Sequence, residues 1–432
     1  SILTGEVAGF SIEGNKIISG NPGIGVNPIT FSDDDRLFVA QCFYDNGIFE
    51  LDPSGATEPR VILEELGEFC GLNGMDWGPD GRLYGPRWFN NEIVSLDVDT
   101  GEIRKEASGF NVPAAVKFNS KGILHVLDTG AGKVYKVIDN INIEVASISN
   151  GLDNLAINAD DEIFVSSYSE GSILKIGENS IEEILPGGIS HAGGLSVYKN
   201  DIVVADVQSV KAYSTMNGSE SWNYKNTFRV SPIGANTAVS TFEDYVILTS
   251  WVDNTLKIMK PESGEILGSF EGLNIPVSAT KFKDSVAVAL DGDGTITLFN
   301  FETNESTLLA SGFEAPTHII NYEDGLLVSD RDLGELILID EEGNKSTFIT
   351  GLDSPEGLAL RGNSIYVFEG NTGEIKEIIN GTIKTLGALK PGSPAQSELQ
   401  PPSMIFNGLA VHNDFLYVAG EVEKSLFRIS LK

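Results

Sequence analysis

The residues that could do chemistry are few in this chain, and they disfavour several familiar enzyme classes. Only four histidines occur among the 432 residues. The sequence contains no Ser-His-Asp order, no GxSxG elbow, no HExxH helix and no phosphate-binding glycine loop. Nucleophilic hydrolases and nucleotide-dependent enzymes are therefore disfavoured.

Two histidines stand where a general base could act. His191 lies in GISHAGGL and His318 in APTHII, both at the start of a predicted inner strand. A neutral imidazole at such a place could accept a proton near pH 7. A hydrogen-bonded structural role is the alternative for either residue. Arg331, one of the scarce cations, is the third catalytic candidate.

A set of aromatic side chains and arginines follows the second strand of successive repeats. On a protein with a formal net charge of −33, rings combined with rare cations predict a surface that binds an organic anion or a sugar. Packing of the rings between neighbouring sheets is the alternative. The predicted substrate-binding residues are Tyr44, Arg87, Trp88, Phe89, Tyr168 and Trp251. Acids at the same place in other repeats, such as Asp206 and Asp330, instead predict turn capping.

A repeat that runs along the whole chain must position these side chains. One phrase, an apolar triplet, a polar turn, an apolar run and a glycine turn, recurs ten times at steps of 39 to 51 residues. Inside each unit the hydrophobic period is two, which predicts four short antiparallel strands, the blade of a β-propeller. The units are approximately 26–71, 72–110, 111–151, 152–192, 193–236, 237–274, 275–314, 315–353, 354–406, and 407–432 plus 9–19.

The repeats predict an all-β fold, a single β-propeller domain of about ten four-stranded blades spanning residues 1–432. The last unit, 407–432, has only three strands, so the N-terminal segment 9–19 is expected to complete that blade and close the ring. Two rings of about five blades, joined near residues 230–240, are the rival. A segment rich in Pro and Ser between Thr385 and Phe406 is expected to form either a partial lid over the channel mouth or a plain surface loop.

Composition limits the partners and the compartment. With 62 acidic and 29 basic residues, the chain is a poor partner for nucleic acid or an anionic membrane, and a small-molecule substrate is expected instead. No apolar run is long enough to span a bilayer. A secreted or periplasmic location is favoured over a cytoplasmic one, with any signal peptide outside this sequence. Two inert thiols at Cys42 and Cys70 are favoured over a disulfide.

Three phrases carry a family resemblance. Asn73–Tyr84 (NGMDWGPDGRLY), Ser354–Gly370 and Asn407–Gly420 resemble the repeats of the gluconolactonase and senescence-marker protein family. They are equally similar to NHL-repeat propellers and virginiamycin B lyases. The resemblance implies a divalent cation at the channel mouth, held by Glu, Asn and Asp side chains that precede the innermost strands. In those enzymes the cation polarises a lactone or ester carbonyl or assists elimination.

The corresponding positions in this sequence form a lopsided set. The predicted metal ligands are Glu356, Asn407, Asn27, Asn73 and Asp153. On a closed ten-blade ring they occupy one arc, and their oxygens suit Ca²⁺ or Mg²⁺, with Ca²⁺ favoured. The alternative is that these side chains form turns or bond the backbone of the next blade.

The leading hypothesis is therefore a metal-assisted hydrolase or lyase acting on a small lactone, ester or sugar-like molecule in the axial channel. In this hypothesis His318 or His191 moves the proton, and Arg87 with Trp88 positions the substrate. The alternative is a non-catalytic propeller that binds a protein or glycan partner.

Overall fold

The computed structural model describes residues 2, 4–67, 69–177, 180–227, 231–395 and 400–432. Within these residues the strands form eleven antiparallel sheets, nine of four strands, one of three and one of two. The helical segments of this described part are two short 3₁₀ turns, Trp88–Asn90 and Asp291–Asp293. The predicted all-β architecture of propeller blades is confirmed.

The chain divides into two compact units. Unit 1 comprises Ser1–Gly188 with Thr227–Val230, and unit 2 comprises Ile189–Asn226 with Ser231–Lys432. The main division follows the sequence Pro186-Gly187-Gly188, whose glycines cannot support a strand as well as bulky residues do.

Unit 1 contains an N-terminal hairpin and four blades. The hairpin is β1 (Val7–Phe10) and β2 (Lys16–Gly20). Blades one and two are β3 (Val26–Phe31), β4 (Leu37–Gln41), β5 (Ile48–Leu51), β6 (Arg60–Leu63), β7 (Asp76–Trp77), β8 (Leu83–Arg87), β9 (Glu92–Leu96) and β10 (Ile103–Ser108). Blades three and four are β11 (Pro113–Phe118), β12 (Leu124–Asp128), β13 (Lys133–Ile138), β14 (Ile141–Ser147), β15 (Leu152–Ile157), β16 (Ile163–Ser167), β17 (Ile173–Ile176) and β18 (Ile181–Leu185).

Unit 2 contains the other six blades. Blades five and six are β19 (Leu195–Tyr198), β20 (Asp201–Ala205), β21 (Ser209–Ser214), β22 (Glu220–Lys225), β23 (Ala238–Phe242), β24 (Tyr245–Ser250), β25 (Thr255–Lys260) and β26 (Glu265–Glu271). Blades seven and eight are β27 (Pro276–Phe282), β28 (Ser285–Leu290), β29 (Thr295–Asn300), β30 (Glu305–Ser311), β31 (Pro316–Tyr322), β32 (Gly325–Asp330), β33 (Glu335–Ile339) and β34 (Lys345–Thr350). Blades nine and ten are β35 (Pro355–Arg361), β36 (Ser364–Glu369), β37 (Glu374–Ile379), β38 (Thr382–Ala388), β39 (Leu409–His412), β40 (Phe415–Gly420) and β41 (Ser425–Ser430).

Local chemistry explains these strands. Between β37 and β38, Asn380 and Gly381 have φ of 49° and 77°, a combination that belongs to a type I′ hairpin turn. The fourth strand β26 alternates between exposed and half-buried residues. The second strand β32 is buried almost throughout, because neighbouring blades cover both of its faces.

Unit 2 closes on itself, which corrects the predicted closure. The inner strand β39 of blade ten lies against β19 of blade five. Leu195 and Val204 of blade five share one buried cluster with Ala410, Tyr417 and Ala419 of blade ten. The side chains of blade ten are thus covered by blade five, and six blades form a ring where one ring of ten was predicted.

The N-terminal segment also has a different place from the one predicted. Residues 9–19 fall within the β1–β2 hairpin, which forms its own two-stranded sheet. Val7 of this hairpin packs with Val26, Val39 and Leu51 of blade one. Blade ten therefore keeps three strands, β39 to β41, in the described structure.

The two cysteines form a disulfide, where free thiols were favoured from the sequence. Cys42 and Cys70 are bonded across 28 residues and are both buried. The two residues form a short antiparallel bridge, so backbone pairing brings the two sulfurs together. No sequence motif around either cysteine predicts this pairing.

Candidate functional site

The predicted site residues gather mainly in two places. In unit 2, Glu356 lies with Arg331, Ser403 and Asn407 at the start of the inner strands, a group called here the glutamate mouth. In unit 1, five aromatic residues lie close to the Cys42–Cys70 disulfide and form a surface called here the aromatic platform: Phe43, Tyr44, Phe69, Trp88 and Phe89.

The carboxylate of the glutamate mouth is fully enclosed. Glu356 is 0% exposed, and its Oε1 accepts a hydrogen bond from the Ser403 hydroxyl. Its Oε2 accepts a hydrogen bond from the backbone N–H of Asn407 at 3.3 Å. Arg331 Nε lies 3.6 Å from Oε1. Burial raises the pKa of Glu356, opposed by the Ser403 hydrogen bond and by the Arg331 charge. A Cβ at Gly370 would collide with Oε1, so glycine is needed there to admit the carboxylate.

The segment between Thr385 and Phe406, called here the connector, covers this mouth. Trp251 Nε1 donates to the Met404 carbonyl at 3.0 Å, and Ser393 Oγ donates to Glu421 at 2.8 Å. Phe406 is 8% exposed and belongs to the buried cluster of blades seven and eight. Residues 396–399 of this predicted loop lie outside the described residues, but the described part supports the lid over the plain surface loop. Trp251, for which substrate binding stays a prediction, anchors the lid through this hydrogen bond.

His318 lines the axial cavity of unit 2. This cavity of about 260 Å³ is bounded by the inner strands of all six blades. His318 Nδ1 accepts a hydrogen bond from the Leu358 N–H at 2.8 Å, which leaves Nε2 for another partner. Burial lowers the pKa of His318 to about 4, so the ring is neutral at physiological pH but is a weak base.

His191 is placed by the turn before blade five. Its backbone N–H donates to Asp206, and its buried Nδ1 has no hydrogen-bond partner within the described structure. Asp206 also bonds the Lys211 ammonium at 3.0 Å, with both side chains fully buried. His191 is thus held beside a structural ion pair.

The five predicted metal ligands are divided between the two units. Asn27, Asn73 and Asp153 belong to unit 1, whereas Glu356 and Asn407 belong to unit 2. Asn27 Nδ2 donates to Asn73 Oδ1 at 2.8 Å, and Asn407 Oδ1 accepts from the Glu421 N–H at 3.0 Å. Among the described residues no cluster of three or more His, Cys, Asp or Glu is placed to hold a metal ion. A divalent cation held by these five residues stays a prediction.

Acids after the second strands act as predicted for turn capping. Asp330 accepts hydrogen bonds from the N–H groups of Glu314 and Ala315 at 2.9 and 3.0 Å. Asp206 accepts from the Ser190 N–H at 2.9 Å. These carboxylates satisfy backbone donors that would otherwise be buried without partners.

The aromatic platform is open to solvent. The exposed fractions of Phe43, Tyr44 and Phe69 are 42%, 48% and 55%. Trp88 is only 4% exposed. The Phe43 and Trp88 rings meet edge to face at 5.7 Å, Phe69 and Phe89 do so at 5.8 Å, and Trp88 stacks on Phe89 at 4.8 Å.

The disulfide holds this platform in an unusual backbone conformation. Phe43 and Phe69 have φ of 73° and 60°, in the left-handed region that disfavours residues with a Cβ. Phe43 follows Cys42, Phe69 precedes Cys70, and the Phe43 N–H donates to the Phe69 carbonyl at 2.6 Å. Two such residues cost about 1–3 kcal/mol each. A disulfide that closes a 28-residue loop offsets much of this by about 3–4 kcal/mol.

A broad depression of about 660 Å³ adjoins the platform. Phe69, Leu66 and Ile103 form its apolar lining, and its polar lining comes from four side chains: Asn46, Glu65, Arg87 and Asn90. Arg87 Nη1 pairs with Glu92 at 2.8 Å, while its buried Nε has no hydrogen-bond partner among the described residues.

Sequence reasoning found part of this surface. Tyr44, Arg87, Trp88 and Phe89 were predicted to bind substrate and do lie at or beside the platform. Tyr168, also predicted, is half-buried on blade four, where burial raises its pKa. Phe69 was missed, although its place beside Cys70 mirrors that of Phe43 beside Cys42.

Comparisons with known proteins return similar structures but no sequence family. No protein-family model and no curated protein matches the chain. The chain is similar to a virginiamycin B lyase from Staphylococcus aureus, with 15% identity over 62% of this chain and 92% of that one and a TM-score of 0.33. A streptogramin B lyase structure matches at 18% identity over 63% and 93%, also with a TM-score of 0.33.

A third similar structure is the extracellular domain of a one-component system from B. thetaiotaomicron. It has 12% identity over 99% of this chain and 67% of that chain, with a TM-score of 0.38. These likenesses concern the fold, and no functional residue is transferred from them. In the described part of this chain, no helix is long and apolar enough to cross a membrane.

Proposed function

We propose that this chain is a glycan-binding protein and that the aromatic platform is its binding surface. The observation that carries the proposal is the exposure of Phe43, Tyr44 and Phe69 beside a polar depression of about 660 Å³. Exposed rings of this size normally pack against something, because leaving them in water forgoes the free energy of burial.

The chemistry of the depression suits a sugar. A pyranose ring has an apolar face of C–H bonds that can lie on Phe69, while its hydroxyls need both donors and acceptors. Asn46 and Asn90 carry an amide with both, and Glu65 and Arg87 add an acceptor and donors. The formal net charge of −33 disfavours a polyanionic ligand, so we propose a neutral oligosaccharide.

Preorganisation supports a binding role for the same surface. The left-handed residues Phe43 and Phe69 are fixed next to a disulfide before any ligand arrives. Rings that are already held in place lose little conformational freedom on binding. The disulfide also supports a proposed location in an oxidising, extracellular compartment.

The predicted metal-assisted hydrolase or lyase has less geometric support. Its central residue, Glu356, is 0% exposed, and its oxygens already contact Ser403, Asn407 and Arg331. A substrate in the channel could reach this carboxylate only if the lid moved. We therefore propose the binding function, the alternative that the sequence left open.

A glycan array tests this function. The probes are neutral oligosaccharides, and each glycan retained by the wild-type protein is then titrated in solution by calorimetry. Phe69→Ala should weaken binding at least tenfold, because burying a phenyl ring against a ligand contributes about 1.5 kcal/mol or more.

The matched control is Phe31→Ala, since Phe31 is 44% exposed on blade one outside the platform. Its affinity should equal that of the wild type. Failure to retain any neutral glycan, or equal affinities for wild type and Phe69→Ala, would overturn the proposal.

A further inference from the structure

In the described part of the chain, blade ten of unit 2 has three strands where the other blades have four. Among the described strands, β41 (Ser425–Ser430) pairs only with β40. Its outer edge therefore presents unpaired backbone N–H and C=O groups, which natural proteins usually cover or block.

Matched positions in blades nine and ten show the effect of the missing strand. Ile375 and Ile378 of β37 pair with Phe368 and Ile365 and are each 1% exposed. The equivalent residues of β41, Leu426 and Ile429, pair with Ala419 and Leu416 in the same register but are only partly buried. The difference follows because β38 covers β37, whereas no described strand covers β41.

A groove of about 460 Å³ runs beside this edge. Its apolar lining comes from blades five and ten: Ile189, Tyr213, Met216, Tyr417, Leu426 and Phe427. Met216 is 86% exposed, so the groove has a prominent apolar rim. Arg428, also in the lining, adds a cation to the edge.

The N-terminal hairpin of unit 1 carries a complementary surface. Phe10, Ile12 and Ile17 are 62%, 103% and 59% exposed, an unusual set of bare apolar side chains for a hairpin of two short strands. Within the described structure β1 pairs only with β2, so one edge of β1 is open. Glu13, between the strands, has the opposite charge to Arg428.

We propose that the N-terminal hairpin of a second copy of this chain docks along β41, with β1 as the fourth strand of blade ten. Strand addition satisfies both open edges with main-chain hydrogen bonds and covers Leu426 and Met216 with Phe10 and Ile12. Reciprocal docking of two chains gives a two-fold dimer in which the same pair of surfaces is used twice.

Sedimentation velocity on the full chain, from about 1 to 100 μM, tests the proposal. The wild type should show a concentration-dependent dimer. Ile12→Asp on the hairpin and Met216→Asp in the groove should each raise the dimer dissociation constant at least tenfold. Leu308→Asp is the control, because Leu308 is 58% exposed on blade seven, and it should leave dimerisation unchanged.

A cross-linking experiment identifies the contact. Chains carrying Ile12→Cys are mixed with differently tagged chains carrying Met216→Cys and oxidised, and a mixed disulfide between the two tags is expected. Three results would overturn the proposal. The first is a monomer at every concentration, and the second is a dimer that is insensitive to Met216→Asp. The third is the absence of a mixed disulfide between the two tagged chains, while a single chain carrying both cysteine substitutions forms the bond within itself.

Discussion

The aromatic platform of unit 1 and the glutamate mouth of unit 2 place similar numbers of chemically capable side chains in opposite environments. Phe69 is 55% exposed and held in a left-handed conformation, whereas Glu356 is 0% exposed and sealed by hydrogen bonds. Residue types alone favoured the acidic mouth as the functional site. Accessibility reverses that order, because a ligand must reach a side chain before the side chain can act on it.

The largest change in unfolding free energy is expected when Phe406, the buried ring over the glutamate mouth, is truncated. Phe406→Ala removes a ring that is 8% exposed in the core of blades seven and eight. The resulting cavity should lower the free energy of unfolding of unit 2 by about 3–5 kcal/mol, as measured by urea unfolding. Leu308→Ala, at an exposed position, should change it by less than about 0.5 kcal/mol. Glycan affinity should stay the same in both variants, and a loss specific to Phe406→Ala would mean that the mouth contributes to binding.

The second-largest effect is expected when the disulfide beside the aromatic platform is removed. The double variant Cys42→Ser with Cys70→Ser frees a 28-residue loop, which should destabilise unit 1 by about 3–4 kcal/mol. Phe43 and Phe69 should then relax from their left-handed conformations, so glycan affinity should fall even where the protein remains folded. Near-ultraviolet circular dichroism under native conditions verifies folding, and full affinity in the folded double variant would show that the disulfide does not organise the platform.

Electrostatics near the mouth should make the stability of unit 2 depend on pH. Burial and the charges of Asp332 and Asp330 raise the pKa of Asp291 to about 6, against a normal value of 3.8. The folded state therefore holds this proton more tightly than the unfolded state, and stability should fall as the pH rises from 4 to 7. The fall from this group is about 2 kcal/mol.

Asp291→Asn should remove this part of the pH dependence and be the more stable protein at pH 7. Urea unfolding of both proteins between pH 4 and 7 measures it. Asp324→Asn, at an exposed turn, serves as the control and should keep the wild-type slope. Parallel curves for wild type and Asp291→Asn would contradict the assignment of the raised pKa to Asp291.

The smallest expected change in stability concerns the left-handed conformation of Phe69. Phe69→Gly relieves a residue at φ of 60° and should stabilise unit 1 by about 1 kcal/mol, while weakening glycan binding at least tenfold. Phe69→Ala should weaken binding equally without this gain, because alanine retains a Cβ. If the strained conformation of Phe69 serves binding, Phe69→Gly should raise the stability of unit 1 and lower the glycan affinity. A loss of both stability and affinity in Phe69→Gly would indicate that the Phe69 ring has a structural role.

Sequence reasoning anticipated local structure better than closure. The spacing of ten repeats located ten blades, because strand alternation and turn residues such as Asn380-Gly381 are local signals. Closure depends on side-chain burial between distant blades, here Leu195 and Val204 against Tyr417, and nothing in the period reveals which blade faces which. The Pro186-Gly187-Gly188 break is the local signal in the sequence that coincides with the division between the two units.

In the candidate site, too, the residues at repeated positions were predictable from the sequence, and those positioned by distant contacts were not. Arg87, Trp88 and Phe89 were found because they are unusual residues at a repeated position. Phe69 lies in the loop after the fourth strand of blade one, where the repeat carries little pattern, and only its pairing with Phe43 through Cys42 and Cys70 gives it a role. The burial of Glu356 depends on Ser403 and Phe406 in the connector, whose path over the mouth cannot be read from composition.

Hydroxyl-radical footprinting of the full chain, with and without a neutral oligosaccharide retained on the array, tests the central claim most directly. The ligand should strongly reduce oxidation of Phe43, Tyr44 and Phe69. Oxidation of Met404 and Phe406 over the glutamate mouth should be unchanged by the ligand. Protection of Met404 and Phe406 with no change at the platform would contradict the assignment of the binding surface to unit 1.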